Sequence, residues 1–171
     1  MKVNKGPRHG KIIGDFGENL VCNWLSRSGF VVSIVDQTGI DIVAYNPSTT
    51  ERLGITVKSR TREEPKEEAP VHVLEHRKGR DDRQKLIDAC EAFGSLPWIA
   101  VYVETERAAD LYLTSLKNYE SKYRGREGKV FDDWKMREKD RDRYDQDPDV
   151  KHIHVEFQVG NWWEGHEGPP A

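Results

Sequence analysis

The strongest constraint on the fold lies between residues 39 and 60. Two runs rich in apolar and β-branched residues, 39–45 and 53–60, flank Asn46, Pro47, Ser48, Thr49, Thr50 and Glu51. Pro47 has no N–H to give to a ladder and its neighbours are turn formers, so the two runs predict an antiparallel hairpin. If the hairpin is symmetric about that loop, Asp41 falls opposite Thr56. Residues two apart on a strand share a face, so Thr56 and Lys58 point the same way and cross-strand pairing adds Asp41 to them. An acid, a hydroxyl and an ammonium therefore converge. Ile40, Ile42, Ala44, Ile55 and Val57 supply the opposite, apolar face, which another element has to cover.

The preceding sequence offers that cover. Ile13, Phe16, Leu20, Val21, Trp24 and Leu25 recur at helical spacing and Gly29 is a natural stop, which predicts an amphipathic helix over 13–29. On a helical wheel Glu18 falls about 20° from Leu25, at the border of the apolar face. A strand is predicted over 30–35, and a polar stretch with a short strand at 71–74 follows the hairpin. Asp81 and Gln84 form a capping pattern ahead of Leu86, Ile87, Ala89, Cys90 and Phe93, which predicts a second helix ending at Gly94. Residues 97–103 are almost continuously apolar and suit a strand buried on both faces, with 109–113 returning beside it.

Beyond residue 116 the pattern changes. More than half of residues 117–147 are charged, with the signs interleaved, and read as a solvated face. A charged helix over 131–147 is expected, pinned by Phe131, Trp134 and Tyr144 and ended by Pro148. Residues 152–159 alternate, placing Ile153, Val155, Phe157 and Val159 inward and His152, His154, Glu156 and Gln158 outward. Both histidines then share a face, which invites a metal reading, but the outward polar face of a terminal strand accounts for them. Trp162 and Trp163 would cap the core or form a contact surface, and the tail after Gly165 is expected to lack order. At the other end Lys2, Lys5, Arg8, His9 and Lys11 make a mobile cationic arm, either solvated or touching phosphate.

A chain of 171 residues can bury a core without disulfides, and one domain is expected, with a core over about 12–116 and a charged extension over 117–171. Cys22 and Cys90 stand far apart without a metal-ligand spacing and read as reduced core residues. No apolar run reaches the roughly 20 residues of a membrane span, so a soluble, cytoplasmic protein without membrane contact is expected. A net charge of −3 excludes a protein that coats nucleic acid indiscriminately and leaves only a local basic patch for such contacts.

The order helix, three strands, helix, strand, with Glu18 in the first helix, Asp41 opening the second strand and Lys58 two residues past Thr56 on the third, resembles the PD-(D/E)XK nuclease superfamily. Archaeal Holliday-junction resolvases and related restriction-type endonucleases are the most similar branch. The resemblance spans roughly residues 14–113. It implies an α/β, restriction endonuclease-like αβββαβ core with a mixed central sheet flanked by helices, and metal-dependent cleavage of DNA, or alternatively RNA, by a homodimer. Glu18 and Asp41 would match the family's acids and Lys58 its lysine, with Mg²⁺ or Mn²⁺ held by Glu18, Asp41, the Thr56 hydroxyl and the Val57 carbonyl. Ser59, Arg60, Arg62, Arg77, Lys78 and Arg80 lie where phosphates could be gripped. Gln84 matches a family glutamine that approaches the substrate and equally serves the helix cap.

The departure is Thr56, where the family carries Asp, Glu or Gln. A hydroxyl is a neutral and weaker ligand for a hard dication than a carboxylate. The competing expectation is therefore a catalytically silent protein of the same fold that binds nucleic acid or a protein partner.

Overall fold

The computed structural model describes residues 5–125 and 129–157, without the side chains of Asp36 and Arg80. Lys2, Gln158, Val159, Trp162, Trp163 and the tail after Gly165, named above, lie outside the described residues.

The expected order αβββ is present: α1 (His9–Arg27), β1 (Val31–Gln37), β2 (Ile40–Tyr45) and β3 (Arg52–Thr61). β4 (Val71–Arg77) and the two-residue β5 (Arg80–Asp81) precede α2 (Asp82–Ala92), which leads into β6 (Leu96–Glu104) and β7 (Ala108–Ser115). The remainder is α3 (Leu116–Lys122), β8 (Phe131–Trp134), α4 (Glu138–Asp145) and β9 (Val150–Glu156). A six-stranded sheet in the order β1-β2-β3-β6-β7-β9 is mixed: β3 and β6 are parallel, joined across α2, and its other neighbours are antiparallel. The helices lie against this sheet, so the chain is α/β with a mixed central sheet flanked by helices, as the sequence implied.

The hairpin has the expected register, since Ile42 pairs with Ile55 and Tyr45 with Arg52. Its apolar face, together with Ala100, Tyr102 and Leu111, packs under Ile13, Val21 and Leu25 of α1. Ile55 and Ile42 are fully buried there, and a side chain of that size stabilises by roughly 1.5–3 kcal/mol when removed from water. Ile40 departs from the alternation. The pairing with β1 shifts between Ile34 and Gln37, and Ile40 joins the core on the α2 side with Leu86, Cys90 and Ile99.

Three expectations for the rest of the chain are corrected. The described part of the cationic arm, residues 5–11, is not free: His9 and Lys11 belong to α1, His9 Nε2 lies 2.7 Å from Thr61 Oγ1, and Lys5 donates to Thr61 O and Glu63 at 3.1 and 2.9 Å. The helix over 131–147 is instead a strand and a shorter helix. β8 pairs with β4 to complete a second sheet, β5-β4-β8, because Asp132, buried beside it, finds His76 Nε2 at 2.8 Å and Arg124. The charged third is also not merely a solvated face. Tyr112, Tyr119, Tyr123, Trp134 and Tyr144 are buried together, with Trp134 and Tyr144 stacked at 4.1 Å between centroids, and they roof the α2 side of the sheet. Asp147 is buried at the edge of this roof, accepting from Lys122 Nζ, Tyr123 Oη and Asn118 Nδ2 at 2.8, 2.6 and 3.0 Å. Burial opposes its charge, but these bonds outweigh that and hold its carboxyl well below the usual carboxylate range.

β9 follows its predicted alternation only in part. Ile153 and Phe157 pack toward the α1-side core, yet Val155 is 42% exposed. Of the two histidines, His154 is exposed and His152 half-buried, and both also lie against Asp110 of β7. Cys22 and Cys90 are both free thiols, as expected, and burial raises the pKa of each.

Candidate active site

Asp41, Thr56, Val57 and Lys58 are brought together. Beyond the last β2–β3 pair the Asp41 carboxylate takes over the edge of β3: its Oδ2 accepts the Val57 N–H at 2.6 Å and the Thr56 hydroxyl at 3.2 Å. Lys58 Nζ in turn donates to Thr56 Oγ1 at 3.2 Å. The result is a chain of donors running from ammonium to hydroxyl to carboxylate, in which neither bond to Asp41 uses Oδ1. In a strand a residue's N–H and C=O emerge on the same side, so the Val57 carbonyl borders the edge that its N–H shares with Asp41.

Asp41, Thr56 and Lys58 line a cavity of about 190 Å³ with Thr38, Gly39, Leu74, Asp82 and Lys85. Asp82 and Lys85, on the first turn of α2, escaped the sequence reading. The signal was present, because the cap at Asp81 fixes where α2 begins and the turn before Asp41 must meet something. Asp82 Oδ2 accepts the Glu75 N–H at 3.3 Å, and its other oxygen lies 3.8 Å from Lys85 Nζ. The cavity thus holds two carboxylates and two ammonium groups. A larger groove of about 360 Å³ continues from it past Lys58 and Arg60, with Gly10 and Gly14 of α1 on one bank and His72 and Phe131 on the other.

Glu18 does not line either space. It sits half-buried on α1, where its charge helps to raise the Cys22 pKa behind the larger effect of burial. Ser59 borders the groove, but its hydroxyl belongs to the other face of β3, pressed against Gly17 of α1. The strand alternation that places Thr56 and Lys58 on one face thus puts this hydroxyl on the other. Arg60 is exposed and donates to Ser59 O at 2.7 Å. Arg62 donates to Pro70 O at 2.7 Å, and burial first, then the charge of Arg60, lower its pKa. Arg77 pairs with Glu75 and lies over the Phe131 ring, while Lys78 is exposed at the β4–β5 turn. Gln84 serves the helix: its N–H is capped by Asp81 Oδ1 at 3.1 Å and its side chain turns to Asp88 at 2.7 Å.

Whether Mg²⁺ suits this cavity can be judged from its donors. Mg²⁺ ordinarily takes one or two carboxylates and fills its octahedron with water and substrate phosphate. Asp41 Oδ1, the Val57 carbonyl and, across the cavity, Asp82 match that chemistry, whereas Thr56 is engaged as a donor to Asp41. Among the described residues, the group of three His, Cys, Asp or Glu whose ligand atoms lie within 4.8 Å of one another is Asp110, His152 and His154, not a set at Asp41. A larger cavity, about 650 Å³, lies on the α1 side near Trp24, Leu53 and Trp98 and is lined by none of the candidate residues.

No family model matches the sequence, and no curated protein matches it either. Among solved structures the chain is similar to that of Hjc, a Holliday junction resolvase from the archaeal hyperthermophile Archaeoglobus fulgidus, at 21% identity. That alignment covers 71% of this chain and 83% of the resolvase chain, with a TM-score of 0.49. At that level the likeness says nothing about which residues act. No helix among the described residues is long and apolar enough to cross a membrane.

Proposed function

We propose that this chain is a metal-dependent nuclease that hydrolyses phosphodiester bonds of DNA at the cavity between β2, β3 and α2. The observation that carries this reading is the joint engagement of Asp41 by the Val57 N–H and the Thr56 hydroxyl, with Lys58 one hydrogen bond away. Bound Mg²⁺ or Mn²⁺ would supply Lewis-acid polarisation of the phosphate and an activated water. Asp41 and Asp82, with the Val57 carbonyl, are the groups that would hold the ion; Glu18 does not line the cavity.

The chain's own residues divide the remaining work. The two donors to Oδ2 fix the Asp41 carboxylate in one orientation and leave Oδ1 for the ion. Lys58 Nζ would steady the negative charge that develops on the phosphoryl oxygens and orient the attacking water. Arg60 and Lys78, both exposed, and Lys85, in the cavity, are the cations available to backbone phosphates, and the groove past Gly10 and Gly14 leaves room for a strand. A pair of such chains would suit a symmetric duplex.

Thr56 favours one other reading, a protein of this fold that binds nucleic acid without cutting it, since the position nearest Asp41 adds no charge. Incubation with Mg²⁺ or Mn²⁺ and linear, flapped, single-stranded and four-way DNA, and with an RNA arm, decides between them. Cleavage that needs the metal and disappears in Lys58→Ala supports hydrolysis. Binding without cleavage under every condition, or equal cleavage by the variant, would overturn it.

A further inference from the structure

The second cluster on the α2 side of the sheet is formed by Asp110, His152 and His154. Its members come from β7 and β9, and the pairing Asp110 opposite His154 and Tyr112 opposite His152 puts both rings over one carboxylate. His152 Nε2 lies 2.9 Å and His154 Nδ1 2.7 Å from the same oxygen, Asp110 Oδ1. All three ligand atoms are within 4.8 Å of one another.

We propose that these residues form a binding site for a divalent transition metal of the Zn²⁺ class, separate from the phosphodiester cavity. Bonds of 2.0–2.1 Å at a tetrahedral angle separate ligand atoms by about 3.3 Å. The oxygen-to-nitrogen separations are those of hydrogen bonds, and an opening of roughly 0.5 Å would admit the ion in place of the bonding protons. Two imidazoles and one carboxylate are borderline and hard donors together, a set that suits Zn²⁺, Co²⁺ or Ni²⁺ and not Mg²⁺, which prefers oxygen alone.

Two further features show that the rings are held for the task. His152 Nδ1 lies 2.6 Å from Asp145 Oδ1 of α4, so its proton goes there and Nε2 is the atom presented to the ion, the carboxylate–histidine support that metal sites commonly carry. The face of the same ring is stacked on Tyr112, with centroids 4.3 Å apart and planes inclined by 10°. Asp110 is buried, whereas the His154 side chain is 47% exposed, so the coordination sphere is closed on the sheet side and open to water or a ligand on the other. Register across the strands sets the location: Arg60 pairs with Val103, Val103 with Asp110 and Asp110 with His154. Asp110 therefore lies about two strand spacings, roughly 10 Å, from Arg60 on the same face.

The test is calorimetric titration of the chelator-treated full chain with Zn²⁺, alongside the visible spectrum of the Co²⁺-loaded protein. The expected result is one equivalent of Zn²⁺ and a Co²⁺ spectrum of tetrahedral or five-coordinate type. His154→Ala, at an exposed ring that leaves the fold intact by circular dichroism, should weaken binding at least about 100-fold, and Asp145→Asn about 10- to 100-fold. Asp41→Ala should retain the equivalent. Absence of Zn²⁺ uptake, undiminished binding by His154→Ala, or loss of the equivalent in Asp41→Ala would each overturn the assignment. These readouts do not depend on DNA cleavage and so stand or fall separately from the hydrolytic reading.

Discussion

Replacing Gly17 by alanine probes how α1 is seated on the strand that carries Lys58. A Cβ at position 17 would lie 2.1 Å from Ser59 Oγ, 3.3 Å from Ser59 Cβ and 3.4 Å from Tyr102 Cβ. The last two separations are tight but tolerable; the first is more than 1 Å inside contact. Ser59 is 7% exposed and its hydroxyl has no partner among the described residues, so there is little space for it to turn away. Overpacking of this extent costs about 3 kcal/mol, the upper end of the usual range, and alanine returns about 1 kcal/mol in helix propensity. Gly17→Ala should therefore destabilise by about 2 kcal/mol. Ser59→Ala removes an unpartnered buried hydroxyl and should stabilise by about 1 kcal/mol. The double variant should be at least as stable as the parent, a coupling of about 1 kcal/mol or more measured by urea denaturation of all four proteins. For a chain of this length the single destabilisation corresponds to a fall of roughly 4–8 °C in Tm. Equal costs of Gly17→Ala in the two backgrounds would refute the close approach of α1 to Ser59, and with it the placing of that hydroxyl on the face away from Lys58.

Other expectations follow from the same geometry. Thr56→Asp sets a second carboxylate beside Asp41 and Lys58, so the Mg²⁺ concentration for half-saturation should fall at least about tenfold, read by isothermal titration. Gly39→Ala meets both a φ of 101° and the Lys85 carbonyl carbon and oxygen at 2.6 and 2.3 Å, and should cost more than 1 kcal/mol, seen as a lower Tm. Asp147 has a folded-state pKa below its unfolded value near 4, so its contribution is full above about pH 4 and lost as pH falls toward the folded value. Asp147→Asn should accordingly lower Tm at pH 7, with the gap to the parent narrowing below pH 4 in a thermal melt series.

The elements that the sequence made legible are those whose signal is local. The hairpin register could be read because turn residues and β-branched runs fix it within about 20 residues, and α1 and α2 because each has an apolar period and a stop. Ile40 escaped because a shift in the β1–β2 pairing reverses one side chain without leaving a trace in composition. The strand Phe131–Trp134 was hidden by Asp132 and Asp133, which look solvated until His72, His76 and Arg124, up to 61 positions away, supply their partners. The same holds for His152 and His154: a gap of 42 residues separates His152 from Asp110, and only strand register shows that they meet. At the candidate active site the contributions of β2 and β3 were readable, while those of α2 depended on how a helix packs. Glu18 was named from its place on a helical wheel, which locates a side chain around an axis but not along the sheet.

At the turn before Asp41, the absence of a side chain on Gly39 lets the hairpin rest against the main chain of α2 at Lys85, one turn from Asp82. The spacing between the two acids is thereby set by peptide units in contact, with no compliant side chain as a spacer. Substitutions in the surrounding core could change packing without resetting that interval, so a lineage carrying this scaffold could exchange the group at position 56 and still present the same gap to an incoming ligand.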